Sequence, residues 1–143
     1  MKKIIIPLFL LLVLLSLTIY KHSDKTSQAP IIIGASSKFT QEELNSAVQS
    51  VKQRFKDFEG CKLTKLWYDE EKSNRFIEGY LQHGKGSTNG VTASNVVVLL
   101  SDFDVDSSGG DGSLNPNSTY TDWKWILIRD DGDKPWRVDD WGY

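Results

Sequence analysis

The sequence predicts an α+β domain in which a curved four-stranded antiparallel sheet packs on a long N-terminal helix, in the order α-β-α-β-β-β. The first observation is a capped, amphipathic helical pattern that begins at Thr40. The second is a series of three strand-like runs after residue 95, separated by turn signals, which is typical of an antiparallel meander. Because an amphipathic helix must bury its apolar stripe, the sheet is its natural partner.

A membrane-targeting segment precedes this domain. Residues 4–20 read IIIPLFLLLVLLSLTIY, carry no charge and follow Lys2 and Lys3. A helix of this length spans about 26 Å, which lies within the workable range for a bilayer core. The pattern predicts an uncleaved signal anchor over residues 1–25, with the N-terminus in the cytoplasm and the domain outside the cell membrane.

The segment between the predicted anchor and the domain leaves two alternatives open. Ser27-Gln28-Ala29 has the small residues of a cleavage site, although Pro30 follows the bond to be cut, so a secreted product is the alternative to an anchored one. Polar residues 26–38 predict a tether that leads into the domain at 39–143. Within the tether, Ile31-Ile32-Ile33 either packs onto the edge of the domain or adds a short strand.

The first helix has the clearest local signals. Thr40 and Glu43 have the spacing of a capping box, and Phe39 and Leu44 occupy the positions of a hydrophobic staple. Gly60 is the residue type expected just beyond the end of a helix. The apolar stripe recurs at helical spacing and comprises Leu44, Ala47, Val48, Val51, Phe55 and Phe58.

The middle of the chain predicts a strand, a second helix and another strand. Cys61 to Tyr68 is the first strand, and Asp69 can cap the helix that follows. The glycine-rich segment 84–90 predicts a flexible loop. The run from Asn95 to Val105 includes VVVLL, which indicates a strand covered on both faces.

Two further strands complete the predicted sheet. Residues 119–129 alternate, with Trp123, Trp125 and Leu127 on one side. Asp131-Gly132 is typical of a tight turn, and the last strand then runs from Trp136 to Tyr143.

Charge and cysteine content exclude some classes of partner. Beyond residue 30 there are 13 basic and 18 acidic residues, a net charge of −5. Because this balance offers no strongly basic face, nucleic acid is excluded as a partner. Cys61 is the only cysteine, which rules out an internal disulfide and predicts a small buried residue.

Two blocks, residues 59–73 and 103–143, resemble a family of small exported bacterial proteins that is classified as a domain of unknown function. The resemblance covers most of residues 39–143 and implies an NTF2-like or cystatin-like cone. It brings no catalytic residue and no cofactor. The tryptophan and glycine positions that it implies are structural are Trp125, Trp136, Trp141 and Gly142.

One loop matches the opening of a calcium-binding sequence. Asp104, Asp106, Ser108 and Asp111 supply oxygen atoms at short spacing, which makes them a weak candidate metal site. The twelfth position of the loop is Asn115, where a bidentate Glu is usual. We therefore favour a polar hairpin loop over a metal site.

The chain lacks a recognisable catalytic motif. His83 is the only histidine of the domain, and no nucleophile elbow surrounds any serine. The sequence therefore predicts no catalytic residue and no cofactor-binding residue.

Aromatic residues are the most suggestive functional feature. We expect most of them to pack in the core, and the others to line the concave face of the sheet or to form an exposed binding patch. The set comprises Trp67, Tyr68, Trp123, Trp125, Trp136, Trp141 and Tyr143.

These observations favour a membrane-tethered, extracytoplasmic binding module, held to the membrane through residues 4–20. Its expected ligand is a partner protein, a component of the cell envelope or a small apolar molecule. The alternatives are an NTF2-like enzyme with a general base in the cone cavity, and a calcium-stabilised structural module.

Overall fold

The computed structural model describes residue 26 and residues 28–143. The predicted membrane segment, residues 4–20, lies outside the described residues. Neither helix of the described chain combines the length and the apolar composition that crossing a membrane requires.

The protein is an α+β domain with a five-stranded mixed sheet and two α-helices in the described residues. The strands follow one another across the sheet in chain order, and β1 runs parallel to β2 while all other neighbours are antiparallel. The helices are α1 (Gln41–Phe55) and α2 (Glu70–His83). The strands are β1 (Ile31–Ile33), β2 (Cys61–Tyr68), β3 (Val96–Val105), β4 (Thr119–Ile128) and β5 (Arg137–Gly142).

The predicted architecture is wrong in its strand count, its element order and the position of its helix. The sheet has five strands instead of four, and the order is β-α-β-α-β-β-β. Helix α1 has 15 residues and follows β1, so it is not an N-terminal helix. The sheet is mixed because Ile31–Ile33 pairs in parallel with β2, and α1 provides the crossover that a parallel pair needs. Three residues are too few to show the alternation by which strands are recognised.

Both faces of the sheet are covered by helices, so the protein has three layers instead of one sheet wrapped around one helix. Val97 and Leu99 of β3 belong to the core cluster that contains the buried side of α1. Val96 and Val98 belong to a second cluster with Ile77 and Tyr80 of α2. The prediction that the VVVLL run is covered on both faces is therefore confirmed.

Local signals at the start of α1 are confirmed in detail. The Thr40 backbone N–H donates to Glu43 Oε2 at 2.7 Å, and the Glu43 N–H donates to Thr40 Oγ1 at 3.2 Å. Both staple residues, Phe39 and Leu44, are buried. The end of the helix differs from the prediction, because α1 stops at Phe55 and residues 56–59 form turns before Gly60.

Part of the loop predicted for residues 84–90 packs against α2. Residues Lys85–Ser87 form a short 3-10 helix. Gly86 is buried against the Tyr80 ring, and a Cβ at this position would lie 2.6 Å from Tyr80 Cε1. Only glycine fits this close approach.

Arg129 connects the start of α1 to the end of β4. Its guanidinium donates to Glu43 Oε1 at 2.7 Å and to the Gly132 carbonyl at 3.0 Å. Its Cζ lies 4.3 Å from the centroid of the Trp136 ring and 5.9 Å from that of Phe39. A hydrogen bond from the Thr40 backbone and the bond from Arg129 hold the pKa of Glu43 below its usual value of 4.5.

Acid should therefore weaken the fold through Glu43. Because the pKa of Glu43 is lower in the folded state, its contribution to the free energy of unfolding is complete above pH 4.5 and is lost as the pH falls through the folded pKa. We expect Glu43→Gln to lower that free energy more at pH 7 than at about pH 3.5, as measured by urea unfolding. An equal loss at both pH values would contradict the assignment.

Candidate ligand-binding pocket

A cluster of aromatic rings fills the space between the C-terminal end of α1 and the sheet. Its innermost rings, Phe55, Phe103 and Trp125, are fully buried. The rings touch mostly edge to face, at centroid distances between 5.2 and 6.4 Å, the arrangement that aromatic pairs prefer. The outer members of the cluster are Phe58, Tyr120, Trp123, Trp141 and Tyr143.

A cavity of about 190 Å³, which we call the aromatic pocket, opens at the outer edge of this cluster. Its apolar lining consists of Phe58, Leu114, Trp123 and Trp141. Its polar lining consists of Arg54, Asp57, Glu59, Asp111 and Ser113. Apolar rings with a few polar groups at the edge are the usual composition of a ligand site.

The turn after α1 places Phe58 in this pocket. The backbone N–H of Phe58 donates to the Phe55 carbonyl at 3.0 Å, so the chain tightens as the helix ends. Gly60 then adopts a φ of +65°, which reverses the chain into β2. A regular helix continuing to residue 59, as the sequence predicts, would have kept Phe58 on the helical stripe instead.

The loop between β3 and β4 forms the facing wall. Its base is fixed to the turn by a hydrogen bond of 2.8 Å from the Asp106 N–H to the Gly60 carbonyl. Within the loop, the Leu114 N–H donates to the Gly109 carbonyl at 3.2 Å. The Ser113 N–H donates to Asp111 Oδ1 at 3.0 Å. These bonds hold Leu114 and Asp111 on the pocket.

Gly109→Ala should disturb this wall. Gly109 has a φ of +70°, and a Cβ there would lie 2.8 Å from the Leu114 carbonyl oxygen. We expect a loss of about 1–3 kcal/mol in the free energy of unfolding, measured with urea. Gly132→Ala is the matched control, because a Cβ at Gly132 meets nothing within 4 Å and should change that energy by less than about 0.5 kcal/mol. Equal losses would contradict the role of Gly109.

The polar side of the pocket is negatively charged. Arg54 Nη1 lies 2.6 Å from Asp57 Oδ2, and its guanidinium lies over the Trp141 ring at 4.5 Å from the centroid. Hydrogen bonds from Ser113 hold the pKa of Asp111 below its usual value. With Glu59, the lining carries three carboxylates and one guanidinium, a net charge of −2.

Trp123 carries a buried polar group without a partner. Its side chain is 9% exposed, and its indole N–H is buried and has no hydrogen-bond acceptor among the described residues. By contrast, the Trp125 Nε1 donates to Ser101 Oγ at 2.8 Å. Leaving a buried N–H unpaired costs about 1–3 kcal/mol, so the indole N–H of Trp123 is less favourably placed than that of Trp125.

The weak metal candidates do not converge in the structure. Asp104 Oδ1 accepts a hydrogen bond of 2.7 Å from Thr119 Oγ1, on the strand pair. Asp106 Oδ1 accepts from the backbone N–H of Ser108 at 2.8 Å and from its hydroxyl, whereas Asp111 lies at the pocket. Over residues 28–143, no three Asp, Glu, His or Cys side chains are grouped in a way that could hold a metal ion.

The remaining residues considered from the sequence lie away from the pocket. His83 is exposed at the last position of α2. Cys61 is buried in the core cluster of α1, as predicted. Trp67 is half-buried on the opposite face of the sheet, with Lys65 Nζ at 4.3 Å from its ring centroid.

Most of the predicted aromatic set is buried, as expected. Four of its seven members, Tyr68, Trp123, Trp125 and Trp136, lie in the core, whereas Trp67 is half-buried and Tyr143 is exposed. Trp123 lines the pocket with Trp141, which is 39% exposed. Sequence reasoning missed Phe58, which it assigned to the helical stripe, and also missed Leu114.

Comparison of the sequence with known proteins identifies the family of this domain. No curated protein matches the chain, and no solved structure does. The resemblance noted in the sequence is confirmed as far as a domain of unknown function, whereas the bacterial origin and the NTF2-like fold that it implied are not confirmed. A family model matches residues 36–142, which include every residue of the aromatic pocket, and the chain therefore belongs to the family described as "Domain of unknown function (DUF4829)".

Proposed function

We propose that the protein is a membrane-tethered, extracytoplasmic binding module whose ligand occupies the aromatic pocket. The observation that carries the proposal is the pocket itself, in which Phe58, Trp123 and Trp141 surround a cavity of about 190 Å³. Tryptophan gives large contact area at low conformational cost, which is why it dominates binding sites. The membrane part of the proposal rests on residues 4–20 and their basic flank.

Two features of the pocket favour ligand binding: rings that are already packed in place and charged groups at the edge. Phe58 and Trp123 are held by packing against the buried Phe103 and Trp125, so this part of the contact surface is formed before a ligand arrives. The carboxylates and the guanidinium at the edge can orient a polar ligand.

Fluorine NMR can test the proposal on the full-length chain. The five tryptophans give five signals when 5-fluorotryptophan is incorporated, and single Trp→Phe variants assign them. The protein is titrated, in detergent micelles, with a library of neutral, cationic and anionic fragments. We expect fragments that bind to shift the signals of Trp123 and Trp141, which line the pocket, and to leave the signal of Trp67 in place.

The opposite pattern would contradict the proposal. If bound fragments shift Trp67 and leave Trp123 and Trp141 unchanged, the ligand site lies on the other face of the sheet. If no fragment shifts the two pocket signals, the aromatic pocket is a packing feature only.

A further inference from the structure

The first strand leaves apolar side chains exposed at one edge of the sheet. Strand β1 is the outermost strand in the sheet order and pairs with β2. Ile31 is 37% exposed and Ile32 is 53% exposed, and they are two of the four large apolar side chains that are exposed in the described chain. Ile32 is paired in register with Trp67, so these two side chains lie on the same face of the sheet, opposite to α1. We call these three residues and Lys65 the β1 edge.

The chain enters the domain at this edge. The Pro30 carbonyl, directly before β1, accepts a hydrogen bond of 3.1 Å from the Leu66 N–H. Between this entry point and the predicted anchor, residues 4–20, lie the ten residues 21–30. Ten residues span at most about 35 Å, which is also about the diameter of a globular domain of this size. A membrane anchor would therefore keep the β1 edge within one domain diameter of the bilayer.

The chemistry of the β1 edge suits the interface between water and lipid. Tryptophan is enriched at membrane interfaces, and exposed apolar side chains are stabilised at the boundary between headgroups and acyl chains. Lys65 Nζ lies 4.3 Å from the centroid of the Trp67 ring, so its stem can stay near the ring while the ammonium stays among the headgroups. The outer N–H and C=O groups of an edge strand need hydrogen-bond partners, which headgroups and water supply and acyl chains do not. The expected contact is therefore shallow.

The opposite end of the sheet is less suited to lipid. Its exposed apolar side chains are Trp141 and Tyr143, and the Arg54 guanidinium already lies over the Trp141 ring. The aromatic pocket beside them has a lining with a net charge of −2, and burying such charges against lipid is costly. Four strand spacings of about 4.8 Å separate β5 from β1, so this end lies about 19 Å from the β1 edge.

We infer that the β1 edge rests on the surface of the membrane, with Ile31, Ile32 and Trp67 in the interfacial layer of the bilayer. This inference rests on the membrane tether of the proposed function and adds an orientation to it. With β1 at the bilayer, the aromatic pocket lies toward the other end of the sheet and stays accessible to ligands from the extracytoplasmic side.

Fluorine NMR of the full-length chain in lipid nanodiscs tests this contact. The chain carries 5-fluorotryptophan, and the phosphatidylcholine discs contain a small share of lipid with a gadolinium chelate on its headgroup. Because paramagnetic broadening falls steeply with distance, it reports which tryptophan lies at the bilayer surface. We expect the Trp67 signal to broaden several-fold more than the signals of Trp123 and Trp141. Discs with a diamagnetic lutetium chelate give the reference widths.

Two variants show whether the apolar side chains cause the contact. Ile31→Thr combined with Ile32→Thr keeps two β-branched residues, so β1 can still form, but it removes apolar surface from the edge. We expect this double variant to lose most of the extra broadening of Trp67. Tyr143→Thr, at an exposed apolar position of the far end, should leave the broadening of Trp67 unchanged. Thermal melts check that both variants are folded. Full broadening of Trp67 in the double variant would contradict the role of the two isoleucines.

Three further results would overturn the inference. If the chain stays in the discs and Trp67 broadens no more than Trp141, the β1 edge does not touch the bilayer, while the membrane tether stands. If the chain separates from the discs in size-exclusion chromatography, residues 4–20 do not anchor it, and the membrane part of the proposed function fails as well. If Trp67 does not broaden but shifts between discs that hold one chain and discs that hold two, the edge pairs with a second copy of the chain.

Discussion

Replacing Arg129 with Ala should lower the free energy of unfolding by about 3 kcal/mol, because it breaks a buried ion pair. Arg129 is 8% exposed, and its partner Glu43 is 29% exposed, so we take the lower end of the range for such pairs. The change also removes the guanidinium from the Trp136 ring and from the Gly132 carbonyl. It therefore detaches the start of α1 from the turn between β4 and β5.

A urea titration and a thermal melt can measure this effect. A loss of about 3 kcal/mol corresponds to a fall in Tm of about 12 °C or more for a domain of this size. Arg137→Ala is the matched control, because Arg137 forms its pair with Asp130 at 2.9 Å on the surface, where both side chains are more than half exposed. Such a pair contributes about 1 kcal/mol at most. If both variants lose the same energy, the buried position of Arg129 has no special role.

Trp125→Ala should cost about 3–5 kcal/mol, since it removes a large, fully buried side chain from the centre of the aromatic cluster. The ring lies 5.2 Å from Phe58 and 6.2 Å from Phe55, between centroids. The cavity left behind would lie directly beneath the pocket. We therefore expect the variant to lose ligand binding as well as stability.

A double-mutant cycle separates packing from hydrogen bonding at Trp125. Ser101→Ala alone leaves the Trp125 N–H unpaired and should cost about 1–3 kcal/mol. When Trp125→Phe is combined with Ser101→Ala, both polar partners are gone, so the combined loss should be smaller than the sum of the two single losses. Additive losses in urea unfolding would show that the Trp125–Ser101 bond contributes nothing.

Local chemistry could be predicted from the sequence because it depends on neighbouring residues. Thr40 and Glu43 form the capping box that their spacing predicts, and Asp69 caps α2 by accepting from the Lys72 N–H at 2.8 Å. The strand β1 could not be assigned from Ile31-Ile32-Ile33, because the residues of β2 with which it pairs lie more than thirty positions further along the chain. Three residues without polar alternation carry no register information.

The lining of the aromatic pocket could be predicted from the sequence only in part. Trp123 and Trp141 belong to the predicted aromatic set, and one of the expected outcomes was a binding patch. The residues that line the pocket beside these two tryptophans could not be predicted. Phe58 lies in the turn after α1, and Leu114 lies in a loop that is held by its own backbone hydrogen bonds. Asp111 was considered as a metal ligand from its spacing, whereas loop geometry places it at the pocket. Which loop residues meet is decided by tertiary packing, which short-range patterns do not encode.

The central claim is that the aromatic pocket is the ligand site, and calorimetric titration of three forms of the full-length chain tests it most directly. The unmodified chain, Trp141→Ala and Trp67→Ala are titrated with the probe that gives the largest NMR shift, after thermal melts show that all three are folded. Trp141 lies at the pocket and Trp67 on the other face of the sheet. We expect Trp141→Ala to bind at least tenfold more weakly and Trp67→Ala to bind as well as the unmodified chain. Unchanged binding by Trp141→Ala, or an equal loss in Trp67→Ala, would contradict the claim.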